Sequence, residues 1–219
     1  MNSAELLTDL IFRYPVLAAN KSEILSAAQK LHNAFVTNHK LLVAGNGGSA
    51  TDAEHIVGEL MKSVIRSRRV NCDVVSALSE RFGEEGQSIA AKLEGALPAI
   101  SLAGFIGLSS AFANDVDPKV TFAQQVYGLG QEGDVFWAIS TSGNSQNLIN
   151  ALMVADAKGL ATIGLTGRKG GLFNRYCQTV IHAPEDESYK VQELHLPIYH
   201  TICLMVEAEI FGGTDDPAG

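Results

Sequence analysis

The sequence has few cysteines, little charge and no long hydrophobic run. Its three cysteines, Cys72, Cys177 and Cys203, are odd in number and widely spaced, so they fit neither a disulfide framework nor a CxxC metal site. No apolar run reaches the roughly 18 residues that a membrane-spanning helix needs. The first residues lack the basic start and apolar stretch of a signal peptide. These absences predict a cytoplasmic protein without a membrane partner.

Basic side chains are also scarce, with 16 Lys and Arg against 24 Asp and Glu, which gives a net charge of −8. This balance argues against a nucleic-acid-binding surface. Apolar residues make up 46% and charged residues 18%, as in a globular protein. The length of 219 residues is enough for one well-buried core and favours a single α/β domain over residues 1–219.

Short apolar segments without strict alternation predict five strands that are buried on both faces of a parallel sheet. They lie near residues 40–44, 98–103, 135–139, 160–165 and 179–183. Helical patterns between and after them cover residues 48–64, 117–128, 145–158, 171–176 and 188–211. The alternation predicts a three-layer α/β/α sandwich with a flavodoxin-like five-stranded parallel sheet.

Three further segments flank or interrupt this pattern. An N-terminal helical segment, residues 1–38, contains helices near 3–13 and 21–38, and Asn20 with Glu23 predicts a capping box for the second. Residues 66–97 do not fit the alternation and are interpreted as an insertion at the rim of the sheet, with one helix near 86–94. The small, polar residues 212–219 are expected to fray.

Two strand-to-helix turns have the composition of anion-binding loops. Ser140-Thr141-Ser142-Gly143-Asn144-Ser145 follows the third strand, and Gly45-Asn46-Gly47-Gly48-Ser49 follows the first. The free N–H groups and positive dipole end of a following helix attract an anion, and hydroxyls add donors. Two such turns predict that a phosphorylated small molecule binds at the carboxyl edge of the sheet.

His55 and Glu59 are four residues apart in the predicted helix after the first turn, so their side chains share one face. They could form an acid/base pair, bind one divalent metal, or be a solvated polar pair. In the last helix, Gln192 and His200 are eight residues apart, about 12 Å along an ideal helix. If both serve one site, either Pro197 bends the helix or one of them serves a neighbouring subunit. His195 and His200 could instead flank an oligomer interface.

Asn114 and Asp115 end an apolar run. Asp115 could bind sugar hydroxyls, but spacing alone favours capping of the helix that follows Pro118.

Together these segments resemble the sugar isomerase (SIS) superfamily and, within it, the phosphoheptose isomerases. The resemblance rests on Gly45 to Ser49, His55 with Glu59, Asn114-Asp115, Ser140 to Ser145, and Gln192 with His200. It implies a homotetramer with sites between subunits that isomerises sedoheptulose 7-phosphate to D-glycero-D-manno-heptose 7-phosphate, a step of heptose and lipopolysaccharide biosynthesis.

The resemblance also implies roles for individual residues. The phosphate would bind Ser140, Thr141, Ser142 and Ser145, and the sugar would bind the first turn (Asn46, Gly47, Gly48, Ser49), Asp115 and Gln192. Glu59 and His200 would be the acid/base pair. Some members hold zinc with residues that match His55, Glu59, Gln192 and His200; no nucleotide cofactor is implied.

Two positions depart from the family pattern: Ser63 stands where these enzymes have an arginine, and Tyr189 where they have an aspartate. Two alternatives follow. One is an isomerase of another ketose phosphate, and the other is a non-catalytic SIS adaptor that binds the replication initiator. An intact pair of Glu59 and His200 favours an enzyme over the adaptor.

Overall fold

The computed structural model describes residues 1–212, in which the five predicted strands form one parallel sheet. The strands are β1 (Leu41–Gly45), β2 (Ala99–Ser101), β3 (Val135–Ser140), β4 (Ala161–Gly167) and β5 (Thr179–Ala183), in the order β2-β1-β3-β4-β5. All four pairings are parallel, and Val43 lies opposite Trp137 in the central pair. The strand order reverses between β1 and β3, where open α/β sheets bind ligands. The predicted fold class is confirmed.

The described part of the chain also contains nine α-helices. They are α1 (Ser3–Arg13), α2 (Lys21–Val36), α3 (Gly48–Met61), α4 (Cys72–Ala90), α5 (Ile106–Asp115), α6 (Thr121–Leu129), α7 (Gln146–Ala157), α8 (Phe173–Tyr176) and α9 (Ser188–Phe211). Short 3₁₀ turns span Pro15–Asn20, Leu102–Gly104 and Pro118–Val120. No helix among residues 1–212 is both long and apolar enough to cross a membrane.

The core has one layer on each face of the sheet. Side chains of α1, α2, α3 and α9 form one buried cluster, which includes Trp137 of β3. Side chains of α6, α7 and α8 form the other, which includes Phe136 of the same strand. Because successive side chains of a strand point to opposite faces, a strand between two helical layers is apolar at most positions on both faces. This explains why the central strands lack alternation.

The predicted capping box at Asn20 is wrong. Its side chain makes no cap for α2 and instead accepts from the backbone N–H of His182 (3.0 Å) and donates to the His182 carbonyl (2.9 Å). Asn20 therefore completes the unpaired edge of β5, where two backbone groups would otherwise lack partners. A capping box is present at α1, between Asn2 and Glu5.

The region predicted as an insertion contains a longer helix than expected. Helix α4 runs over Cys72–Ala90, with a kink at Gly83 (φ 56°, ψ −132°), rather than over residues 86–94. Helix α5 was not predicted, and none of its residues is buried. The tail that was expected to fray lies outside the described residues, apart from Gly212.

Candidate active site

The hydroxyl-rich turn after β3 gathers three serine side chains at the carboxyl edge of the sheet. The Ser140 Oγ lies 3.0 Å from the Ser145 Oγ and 3.4 Å from the Ser142 Oγ. Gly143 makes this turn possible: its φ is 64°, and a Cβ there would lie 2.0 Å from the Gly170 carbonyl oxygen. The backbone thus folds tightly enough for the hydroxyls to face one another.

The start of α7, directly after this turn, is open to an anion. Ser145 is the N-cap residue but makes no side-chain cap hydrogen bond, and the first turn of α7 contains no acidic residue. The Leu148 N–H already donates to the Asn147 Oδ1 (3.0 Å), and the preceding N–H groups with the positive end of the helix dipole can face a phosphate. Thr141 also points to this edge, with its hydroxyl 3.2 Å from that of Ser188 at the start of α9.

The glycine-rich turn after β1 lies beside the hydroxyl-rich turn. Asn46 and Asn147 exchange two side-chain hydrogen bonds of 3.1 and 2.9 Å and so join the two turns across the point where the strand order reverses. Gly47 adopts φ 57° as the uncapped N-cap of α3. Asn46, Gly47 and Gly48 are exposed, whereas Ser49 is buried. Sequence reasoning missed Asn147, which had no signal beyond being polar in a predicted helix.

A second polar cluster forms where α3 packs against α9. The Nε2 of His55 lies 3.4 Å from the Glu59 Oε1 and 3.3 Å from the His200 Nε2. These three side chains line a cleft of about 410 Å³, together with Arg13 and Tyr14 at the end of α1. Within residues 1–212, His55, Glu59 and His200 form a group that could hold a metal ion, because one ligand atom from each lies within 4.8 Å of the others.

Burial shifts the pKa values of three side chains in and beside this cluster. Burial, and secondly the charge of His55, lower the pKa of His200, which favours its neutral imidazole. Burial raises the pKa of the Asp52 carboxyl, and hydrogen bonding to Tyr199 opposes this shift. Burial and the Asp52 carboxylate raise the pKa of Tyr199, so its hydroxyl keeps its hydrogen. A neutral imidazole beside a carboxylate suits both proton transfer and metal binding.

Two of the three ligand-atom separations in the cluster match those around a tetrahedral metal. Two ligand atoms that are each about 2.1 Å from a tetrahedral zinc ion lie about 3.4 Å apart. The contacts from His55 to Glu59 and to His200 are 3.4 and 3.3 Å. Two imidazoles and a carboxylate also form a donor set typical of zinc. The three residues therefore fit the ion that the family resemblance implies.

Gln192 lies apart from this cluster in the chain. A Cβ on Gly48 would be 2.5 Å from the Gln192 Nε2, which places Gln192 over the start of α3. Helix α9 runs unbroken from Ser188 to Phe211 through Pro197. Gln192 and His200 therefore lie eight residues apart on one continuous helix, and the alternative, in which one of them serves a neighbouring subunit, stays a prediction.

The prediction that Asp115 caps the next helix is wrong. Asp115 is exposed at the end of α5 and accepts a hydrogen bond from the Asn114 side chain (2.9 Å). The following 3₁₀ turn is capped by Asp117, which accepts from the Lys119 N–H at 2.7 Å. The Asp115 carboxylate is thus free to face solvent, as binding of sugar hydroxyls would require.

The two positions that depart from the family pattern have different surroundings. Ser63 donates from its N–H and hydroxyl to the Glu94 carboxylate, at 2.6 and 2.8 Å. This residue therefore ties the end of α3 to the region of residues 66–97. Tyr189 is 61% exposed in the first turn of α9.

Comparison with known proteins gives one consistent result. The family pattern described as SIS domain matches residues 76–167. A phosphoheptose isomerase of Synechocystis is 37% identical over 81% of this chain and 78% of its own length. One of Aneurinibacillus thermoaerophilus is 36% identical over 86% of this chain and 82% of its own length. The solved phosphoheptose isomerase GmhA of Neisseria gonorrhoeae aligns with a TM-score of 0.72 and 26% identity, over 94% of this chain and 96% of its own.

Proposed function

The chain belongs to the phosphoheptose isomerase family, and on this premise we propose that it converts sedoheptulose 7-phosphate to D-glycero-D-manno-heptose 7-phosphate. The observation that carries the proposal is the combination of an open hydroxyl-rich turn with the cluster of His55, Glu59 and His200 in one chain. The turn binds a phosphate, and the cluster supplies the acid and the base that an aldose–ketose isomerisation needs.

The phosphate binds at the start of α7. Ser140, Thr141, Ser142 and Ser145 donate hydroxyl hydrogens to it, and the open N-terminus of the helix adds N–H donors and a positive field. The sugar lies toward the first turn, where Asn46 and Ser49 bind hydroxyls, and Asp115 reaches them from the rim. Hydrogen bonds to a charged group contribute about 1.5–3 kcal/mol each, so this turn anchors the substrate.

The proton transfer is carried out by Glu59 and His200. The reaction moves a proton between two adjacent carbons through an enediol, which requires a base at carbon and a proton donor at oxygen. Glu59 takes the carbon-bound proton, because it is the carboxylate of the cluster. His200 donates a proton to one substrate oxygen and accepts a proton from the other. Its lowered pKa favours the neutral imidazole, which is the form that accepts a proton.

We further propose that His55, Glu59 and His200 can hold a zinc ion, with Gln192 of a neighbouring subunit as a fourth ligand. When bound, zinc polarises a carbonyl as a Lewis acid. The ligand spacing and the donor set support this proposal. No feature of the described residues suggests a nucleotide cofactor.

Two features support the proposal of a homotetramer with sites between subunits. Helix α5 is apolar in composition yet has no buried residue, and Ile106 is 78% exposed. Gln192 and His200 are separated by about two helical turns in one chain. A second copy that covers α5 and brings Gln192 to another subunit's cluster would account for both. Multi-angle light scattering at micromolar concentration should give the tetramer mass; an active monomer would contradict the proposal.

The substrate is tested with a panel of ketose phosphates of five to seven carbons, with and without a chelator, followed by NMR. The seven-carbon phosphate should be isomerised fastest. Faster turnover of a shorter ketose phosphate would make the chain an isomerase of that sugar, and no turnover of any would favour the adaptor. A cytoplasmic location stays a prediction from the sequence.

A further inference from the structure

Tyr199 connects the metal-site cluster to a buried carboxylate. It precedes His200 on α9, its ring is buried, and its hydroxyl lies 2.9 Å from the His55 Nδ1 and 3.4 Å from the Asp52 Oδ1. The rings of Tyr199 and His55 meet edge to face, with centroids 5.4 Å apart. The hydroxyl is thus placed between an imidazole nitrogen and a carboxylate oxygen, both on α3.

The single hydroxyl hydrogen decides the direction of both contacts. An ionised carboxylate only accepts, so the Tyr199 hydroxyl must donate to Asp52. Its oxygen then accepts from His55, which places a hydrogen on the Nδ1 of His55. The Nε2 of the same ring, which faces Glu59 and His200, is left as the nitrogen that can bind a metal or exchange a proton.

The opposite direction would leave Asp52 without a donor. Within residues 1–212, Tyr199 provides the side-chain hydrogen bond of Asp52, and the other carboxylate oxygen, Oδ2, is buried without a partner. If Tyr199 donated to His55 instead, a half-buried carboxylate would have no hydrogen bond, and such groups are costly to bury. The packing of α9 on α3 therefore selects one tautomer of His55.

We propose that Tyr199, held by Asp52, is a positioning residue that keeps His55 in the Nδ1–H tautomer and so presents its Nε2 to Glu59 and His200. The inference rests on the proposed function of this cluster. A histidine ligand typically donates its second ring N–H to such a partner, and loss of the partner typically costs 10–100-fold in metal affinity or activity. Here the carboxylate acts through one tyrosine hydroxyl.

Tyr199→Phe tests the proposal because it keeps the buried ring and removes only the hydroxyl. Ring-nitrogen NMR of the metal-free protein, with His55 assigned from a His55→Gln variant, should show Nδ1–H in the wild type at a pH where the ring is neutral. Tyr199→Phe should lose this preference, and its affinity for Co²⁺, followed by visible absorption, should fall about 10–100-fold. Tyr127→Phe, at an exposed tyrosine of α6, is the matched control and should change neither.

A neutral His55 that carries its hydrogen on Nε2 in the wild type would overturn the proposal. So would a Tyr199→Phe protein with unchanged tautomer and unchanged Co²⁺ affinity. Because the tautomer is read without substrate, it is independent of the proposed reaction. A wild type that shows Nδ1–H but isomerises no ketose phosphate would refute the function and leave the role of Tyr199 intact.

Discussion

Glu207→Gln should destabilise this protein more than a typical point mutation. Glu207 of α9 and Arg68, in the segment after α3, form an ion pair of 2.9 Å in which both side chains are fully buried. Arg68 also donates to the carbonyls of Leu60 (2.6 Å) and Glu59 (2.9 Å) at the end of α3. Glu207 accepts from the backbone N–H of Val64 at 2.8 Å. The pair therefore fixes the end of the helix that carries Glu59.

The magnitude follows from burial. Removing one partner of a buried pair costs about 3–5 kcal/mol, because the other charge is left without compensation. For a chain of this length, 1 kcal/mol lowers the melting temperature by roughly 2–4 °C, so Glu207→Gln should lower it by about 6–20 °C. Asp186→Asn breaks the pair of Asp186 with Arg168, in which both side chains are 54% exposed. This control should cost at most about 1 kcal/mol.

The assay is thermal unfolding of both variants at one protein concentration, since an oligomer's stability depends on concentration. A double variant, Arg68→Met with Glu207→Leu, separates charge from backbone pairing. Replacing a buried pair by apolar residues is often neutral, but here it would remove the partners of the α3 carbonyls and of the N–H groups of Val64 and Ile65. The double variant should therefore stay below the wild type in stability. A double variant that melts at the same temperature as the wild type would refute the reasoning. So would a Glu207→Gln effect no larger than that of the Asp186→Asn control.

Ser142→Ala combined with Ser145→Ala should raise the KM for a phosphorylated substrate, at about 1.5–3 kcal/mol per lost bond; an unchanged KM would contradict phosphate binding by this turn. Glu59→Gln should lower kcat by ~10²–10⁴-fold and slow deuterium exchange into recovered substrate in parallel, and wild-type exchange would exclude Glu59 as the base. Because Glu59 is also a proposed zinc ligand, the assignment as base requires that the variant keeps its metal content; joint loss of metal and activity would leave Glu59 with the role of ligand alone. Burial lowers the pKa of His195 to about 4, whereas a histidine in the unfolded chain has a pKa of about 6.5. Between these two pH values the unfolded chain binds a proton that the folded chain does not, so the free energy of unfolding should decrease as the pH falls through this range. His195→Leu should flatten this pH dependence in denaturant titrations, and an unchanged slope would contradict it.

The sheet could be predicted because burial on both faces makes most positions of a strand apolar, without alternation. Phe136 and Trp137 are adjacent in β3 yet belong to opposite core layers, so both positions are buried in apolar surroundings. The observed bounds of β3, Val135–Ser140, extend the predicted residues 135–139 by one residue. The last helix, α9, has the predicted bounds of 188–211 because its apolar face is equally continuous.

Helices α4 and α5 were misjudged from the sequence, and neither packs a continuous stripe on the core. Only Gly86 and Ala90 of α4 are buried, and α5 has no buried residue. Helix α4 does carry apolar residues at helical spacing, Val74, Leu78 and Phe82, but this stripe is not buried within the chain. The kink at Gly83 was equally hidden, because a glycine permits a positive φ without requiring it.

Candidate residues of the site could be found where local spacing carries information and not where the fold brings distant residues together. His55 and Glu59 share a helical face four residues apart, and this contact is present. The Tyr199 hydroxyl bonds to Asp52 and His55 across 147 and 144 positions of sequence. A tyrosine next to a histidine in an apolar helix gives no sign of such a partner, because the pattern is that of a core residue.

The packing of α3 against α9 explains why these distant contacts occur together. Gly48 meets Gln192, and His55 meets Tyr199 seven residues further along each helix. Seven residues are close to two turns, so two helices that run in the same direction keep the same faces in contact over this interval. The missing side chain of Gly48 lets Gln192 lie over the start of α3, and the polar contacts of Tyr199 fix the helices two turns later. A slip of one turn would break both contacts, so the register of α9 on α3 determines which residues make up the cluster.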